Sequence, residues 1–196
     1  MKTLVDSSRL FPGVDSPYLD CVADNLAILL LHAGAEEARS PFACQWRFAF
    51  DPQRVDWLGV LFETPYPELV EHQTGCRIVR GSVDPEDSLE ALRPLVEAGR
   101  PVLMFGDVYH MPWLPYFGRV HQEHSFLIDG VSEDGRMVHI VDAYDNATEW
   151  GRALPIACEL PVTALPVILD LESENAKTYW VLERVEEEAP SIDLEA

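Results

Sequence analysis

The sequence predicts an α+β domain, with helices in its first half and antiparallel strands in its second. Three observations carry this. Val22, Leu26, Leu29 and Leu30 recur at helical spacing in the first half. After Pro101 the pattern changes to short runs rich in Val, Ile and Phe, which read as strands. Between two of these runs, Ser132-Glu133-Asp134-Gly135 is a hairpin turn signal. Segregation of helices from strands is the α+β pattern.

Residues 1–19 read as extended, with Pro12-Gly13 as a turn and Ser16-Pro17 as a break. Asp20 is an N-cap residue for a helix that starts at Cys21, and Gly34 is its C-cap. This helix is apolar almost all round, so it belongs in the centre of the fold. Trp46 to Phe50 alternates like a strand, whereas Trp57 to Phe62 fits strand or helix. Pro65 to Thr74 reads as a short helix stopped by Gly75, and Cys76 to Arg80 as a short strand. Asp84-Pro85 has helix-start chemistry, Leu89, Leu92, Leu95 and Val96 form an apolar stripe, and Gly99 ends it. Val102 to Phe105, Ser125 to Val131, Met137 to Asp142 and Thr178 to Arg184 are the strands. The chain divides into a single domain over residues 1–185 and an acidic, disordered tail over 186–196.

Length and composition narrow the function. At 196 residues and 47% hydrophobic, the chain can bury one full core. No run of 18 apolar residues is present to span a membrane, and the first residues lack the apolar stretch of a signal peptide. The expected compartment is the cytoplasm. The formal charge of −20, from 34 acids against 14 bases, argues against nucleic acid and favours cationic partners such as amines. Cys21, Cys44, Cys76 and Cys158 are scattered without a C-x-x-C, so neither a disulfide scaffold nor a zinc ribbon is expected. Cys44, Cys76 and Cys158 read as small buried hydrophobes.

Cys21 is different because it opens a helix. The helix N-terminus carries partial positive charge, and cysteines placed there are reactive as thiolates. About a hundred residues later come His121-x-x-His124-Ser125 and then Asp142. A hairpin turn near Glu133 and Asp134 puts His124 opposite residues 142–144, so His124 and Asp142 become cross-strand neighbours. Cys21 as nucleophile, His124 as base and Asp142 as orienter make a complete set. Each residue alone also has a structural reading: core cysteine, hydrogen-bonded histidine, turn aspartate. His121 competes with His124 as the base, or lines the cleft. A metal held by His110, His121, His124 and Asp142 lacks a zinc signature, and no metal or cofactor is expected. A serine triad on Ser125 would need a G-x-S-x-G elbow, which is absent. Pro112-Trp113-Leu114-Pro115-Tyr116-Phe117 is either an aromatic lip for an acyl chain or a packed connection.

The segment from Asp107 through Ser125, its continuation to Val131, and Val138 to Asp142 resemble the N-terminal family of butirosin-biosynthesis protein H. Asp20-Cys21-Val22-Ala23-Asp24-Asn25-Leu26 resembles that family's cysteine helix. The resemblance implies a papain-like cysteine peptidase fold, in which a catalytic helix packs on a C-terminal antiparallel sheet. It also implies that an acyl group passes through Cys21, with His124 and Asp142 assisting. Many papain-like enzymes carry glutamine six residues before the cysteine, where this chain has Asp15, a poor donor. Oxyanion donors are then backbone N–H groups near Cys21, with Asn25. Asn25, His121, Tyr109, Trp113 and Tyr116 are the candidate oxyanion or substrate residues. The expected activity is a cysteine acyltransferase of specialised-metabolite biosynthesis. It would join an acyl thioester, borne by an acyl or peptidyl carrier protein, to an amine. A peptidase or amidase, and a binding module with a decayed site, are the alternatives.

Overall fold

The computed structural model describes residues 2–14, 19–35, 38–43, 48–50, 60–62, 66–173 and 175–185. The elements follow in the order α1 (Ser7–Val14), α2 (Cys21–His32), α3 (Ser40–Ala43), β1 (Phe48–Phe50), β2 (Val60–Phe62), α4 (Tyr66–Thr74), β3 (Cys76–Ser82) and α5 (Ser88–Glu97). Then come β4 (Val102–Asp107), a 3-10 helix (Val108–His110), β5 (Glu123–Val131), β6 (Met137–Asp142), β7 (Asn146–Thr148), β8 (Gly151–Ala153), β9 (Ile156–Pro161), α6 (Leu165–Leu169) and β10 (Thr178–Arg184). The result is α+β, as expected. Among the described residues no helix is long and apolar enough to cross a membrane. Cys44, Trp46, Trp57 and the acidic tail 186–196 lie outside the described residues.

A six-stranded antiparallel sheet in the order β3-β10-β4-β5-β6-β9 is the frame. Both faces of its central strands are covered. On one face, Leu26, Leu29 and Leu30 of α2 pack with Leu103, Phe105, Leu127 and Val141. On the other, Leu92 and Val96 of α5 and Leu165 and Ile168 of α6 pack with Met104, Phe126, Ile128 and Ile140. Strand alternation sends successive residues to opposite faces. Two buried faces therefore give β4 and β5 near-continuous apolar runs. The β5–β6 hairpin pairs Leu127 with Val141 and Ile128 with Ile140, and a bulge at Asp129 then shifts the register to Gly130 with His139.

Helix α2 is central because Ala23 to Leu30 are all buried. Asp20 caps it, accepting from Ala23 N at 2.9 Å. Ala33 is the C-cap, and Gly34, with φ +90°, sits one place beyond. Gly34 N–H and Ala35 N–H then return to the carbonyls of Leu31 and Leu30, closing the helix with a left-handed residue that glycine adopts cheaply.

Some expectations need correction. Residues 7–14 are helical, not extended. Asp6 is the missed start signal, since its side chain accepts from Arg9 N and its carbonyl from Leu10 N. Burial of Leu10 and Val14 against α2 outweighs the bond lost at Pro12. Helix α5 begins at Ser88 because Asp84 folds back on Glu86 N at 3.1 Å to make a separate turn. The short elements β7, β8, β9 and α6 were not anticipated. They lie among Pro155, Pro161 and Pro166 and are too short to show a period. Cys76 is buried as expected; Cys158 is half-buried on edge strand β9, and burial raises its thiol pKa.

Gly106 of β4 pairs with His124 of β5. A Cβ there would meet the Ile168 carbonyl oxygen at 2.6 Å and its Cγ2 at 2.8 Å. Gly106→Ala is expected to cost about 1–3 kcal/mol, as overpacking does. An unchanged denaturation midpoint would show that α6 does not press on β4 as described.

Candidate active site

Cys21 is the first residue of α2, so it sits at the positive end of the helix dipole. Cys21 lies near enough to the His124 imidazole to favour its charged form. The other side of that ring is held by Asp142, with His124 Nε2 2.8 Å from Asp142 Oδ2. Nδ1 is therefore the nitrogen left for the sulfur. His124 is 3% exposed and Asp142 1% exposed, whereas Cys21 keeps partial access to solvent.

The carboxylate is held as firmly as the imidazole. Trp113 Nε1–H donates to the same Oδ2 at 2.8 Å, and Tyr144 N–H donates to Oδ1 at 3.1 Å. Burial alone would raise the Asp142 pKa, but the charge and hydrogen bond of His124, with the Trp113 bond, bring it below the usual carboxylate range. Burial opposes a charge on His124 as well, but the charges of Asp142 and Cys21 outweigh it and hold the imidazolium well above its ordinary pKa. The two shifts have opposite signs in pH. Stability from Asp142 is present above the ordinary carboxylate pKa and is lost as pH falls through its lowered value. Stability from His124 is complete below the ordinary imidazole pKa and is lost as pH rises through its raised value.

Asn25 has a different job from the one expected. It is fully buried, and its amide is already used. Nδ2 donates to the Ser125 carbonyl at 2.9 Å and the Cys21 carbonyl at 3.0 Å, while Oδ1 accepts from Ala143 N at 3.0 Å. It stitches α2 to β5 and to the end of β6, and it is not available to an oxyanion. Asp15 lies outside the described residues. Ser125 is also fully buried, with Oγ 3.3 Å from Asn25 Nδ2, which removes the serine-triad reading.

His121 does not compete for Asp142. Its ring is exposed, and Nδ1 sits 2.5 Å from Asp107 Oδ2. Tyr109 stacks flat on it with centroids 4.2 Å apart, so both candidates form a separate surface pair. Burial would raise the Asp107 pKa, but bonds from His121 and from Tyr109 and Gln122 N–H lower it. With His121 given to Asp107 and His124 to Asp142, the two histidines do not share a metal. Among the described residues no group of three or more His, Cys, Asp or Glu could hold one.

Trp113 belongs to the polar network rather than to a free lip, though its ring also packs edge-on to Phe126. Tyr116 lies beside Tyr144, whose phenol pKa it helps to raise after burial, and packs edge-on against Trp150. Tyr144 lies edge-on to His124 at 5.1 Å. Tyr144 was not singled out in the sequence, although its place two residues after Asp142 was a usable signal. Two further residues were missed. Tyr66 of α4 donates its hydroxyl to Asp20 Oδ2, bracing the cap in front of Cys21. Asp24, one turn into α2, is fully buried, and neither carboxyl oxygen has a hydrogen-bond partner. Burial first, then the charges of Asp20 and Asp142, push its pKa up to about 8.

Two measurements test these contacts. Trp113→Phe keeps a ring on Phe126 but deletes the donor to Asp142. It should cost about 1.5–3 kcal/mol in denaturant unfolding, as for a hydrogen bond to a charged group. A loss no larger than a surface substitution would disprove the bond. Asp24→Asn should gain in Tm over wild type as pH rises from about 4 to about 8, because folded Asp24 retains a proton there that the unfolded chain has lost. A Tm difference independent of pH would show that Asp24 is ionised when folded.

Residues 57–143 match the family model described as Butirosin biosynthesis protein H, N-terminal. The match contains His124 and Asp142, while Cys21 precedes it. No curated protein matches the chain. Among solved structures, the chain is similar to a Bacillus anthracis protein described as a C39-like peptidase, with a TM-score of 0.50 and 14% identity over 94% of this chain and 99% of that one. The resemblance read from the sequence is thus borne out by a match to the butirosin-biosynthesis protein H N-terminal family over residues 57–143, on a chain whose fold is papain-like α+β.

Proposed function

We propose that the protein is a cysteine acyltransferase that forms an amide from an acyl thioester through an acyl-Cys21 intermediate. The observation that carries this is one buried imidazole held by Asp142 on one side and acted on by the nearby Cys21, which opens a helix. His124 takes the thiol proton, and the sulfur attacks the thioester carbonyl. The oxyanion is received by free N–H groups at the start of α2. Collapse expels the donor's thiolate, which leaves as a thiol with the His124 proton. An amine then attacks acyl-Cys21, His124 takes its proton, and the amide departs as the Cys21 sulfur is restored.

The butirosin-biosynthesis match supports acyl transfer, and the ring of Tyr144, Tyr116 and Trp150 beside the base supports a cleft that discriminates against water. The formal charge of −20 favours a cationic amine as acceptor. The donor thioester is carried by an acyl or peptidyl carrier protein, which the phosphopantetheine thiol makes the natural source of such a bond. A second reading, a peptidase or amidase on the same residues, is supported by the likeness to the protein described as a C39-like peptidase.

The test is intact-mass spectrometry after incubation with a small acyl thioester. Wild-type protein should gain one acyl mass, located on Cys21, and Cys21→Ala should gain none. Adding an amine should discharge the acyl group as amide. Release as free acid at the same rate with and without amine would favour the hydrolase, and no acyl mass on wild-type protein would defeat the covalent mechanism.

A further inference from the structure

Asp24 is the buried group that this mechanism leaves unused. It lies one helical turn after Cys21, is 0% exposed, and offers both oxygens to no partner. Native structures rarely leave a buried polar group in that condition without a functional reason. The backbone N–H of Asp145 favours its charged form slightly without satisfying either oxygen. The charged groups around it are mostly of its own sign. Asp20 faces it from the residue before α2, Asp142 from the end of β6, and Asp145 from the segment beyond. Asp145 is already neutralised by Arg152, whose Nε and Nη2 donate to its two oxygens at 2.8 Å each. Tyr66 of α4 is committed to Asp20. Asp142 is common to both groups, bonded to His124 and acting on Asp24.

Resting on the reading of Cys21 and His124 as a working pair, we propose that Asp24 is a positioning residue that acts through Asp142. Neutral, it leaves the imidazole free to give up its proton, and charged, it locks the proton on. A neutral carboxyl adds no field to the site, so His124 responds only to Asp142 and the sulfur. Once Asp24 ionises, a further negative charge bears on the Asp142–His124 pair and strengthens its hold on the imidazolium proton. Burial makes Asp24 give up its proton only in mildly alkaline solution, so the device acts at the alkaline end of the range in which the pair works. The sequence does not reveal this, since Asp24 reads as a first-turn acid that favours the helix.

The rate of Cys21 alkylation by iodoacetamide, followed from pH 4 to pH 10, tests it. A thiol paired with an imidazole has two inflections: one where the pair forms, and one where the imidazolium loses its proton. Asp24→Asn should leave the first where it is, because the wild-type carboxyl is neutral there too. It should move the second to lower pH by about one unit, the order of shift that a nearby unit charge produces. An unmoved second inflection overturns the proposal, as does an equal shift of both, which is what a packing defect would produce. In wild-type protein, the carbon-13 signal of the Asp24 carboxyl should titrate together with the second inflection. A signal already ionised at pH 6 overturns the proposal without any variant. A single inflection in both proteins, at the position of an ordinary thiol, would instead defeat the Cys21–His124 pairing itself.

Discussion

The side-chain amide of Asn25 determines where the nucleophile stands. It is bonded to the carbonyls of Cys21 and Ser125 and to the amide of Ala143, so one buried group ties α2 to β5 and to the end of β6. These are the three elements that carry the cysteine, the histidine and the aspartate. A carboxylate at this place would lack the donors, and a hydrocarbon would forfeit all three bonds in a dry core. Because α2 is apolar all round and the sheet is covered on both faces, this polar contact also specifies register within an otherwise slippery interface.

Around that joint, the electrostatics divide into satisfied and unsatisfied parts. Asp142 receives His124, Trp113 and the Tyr144 N–H, and stays ionised although it is buried. Asp145 receives both nitrogens of an Arg152 fork. Asp24 receives nothing of comparable quality, and stays protonated instead. Asp142 and Asp24, in one neighbourhood, thus settle into opposite protonation behaviour through their burial and partners. The aromatic residues act on the same network. Trp113 is a donor to the carboxylate, and Tyr144 stands edge-on to the imidazole, linked outward to Tyr116 and Trp150.

Much of the fold was legible because its signals are local. The Asp20 cap, the apolar run of α2, the Gly75 and Gly99 stops and the hairpin turn at 132–135 each depend on residues a few places apart. Helix α1 was not legible, since Leu10 and Val14 become a helical face only when α2 is there to cover them. Asp84 misled for a related reason: the same side chain can cap a helix or close a turn, and here it closes a turn on Glu86. Within the site, the hairpin made His124 and Asp142 neighbours by counting alone, whereas His121 stayed open as an alternative base. Its exclusion depends on Asp107, which lies on the neighbouring strand β4 and captures its ring.

The order of residues along the chain determined the α+β layout, the capped cysteine helix and the cross-strand meeting of His124 with Asp142, because strand period and helix caps act over short separations. Only the tertiary structure decided which amide became a joint, which indole became a donor and which carboxyl kept its proton. Asn25 and Asp24 are adjacent in sequence and equally buried, yet one finds partners on two strands and the other finds like charges. That difference lies in what the sheet presents to each face of α2, and packing alone sets it.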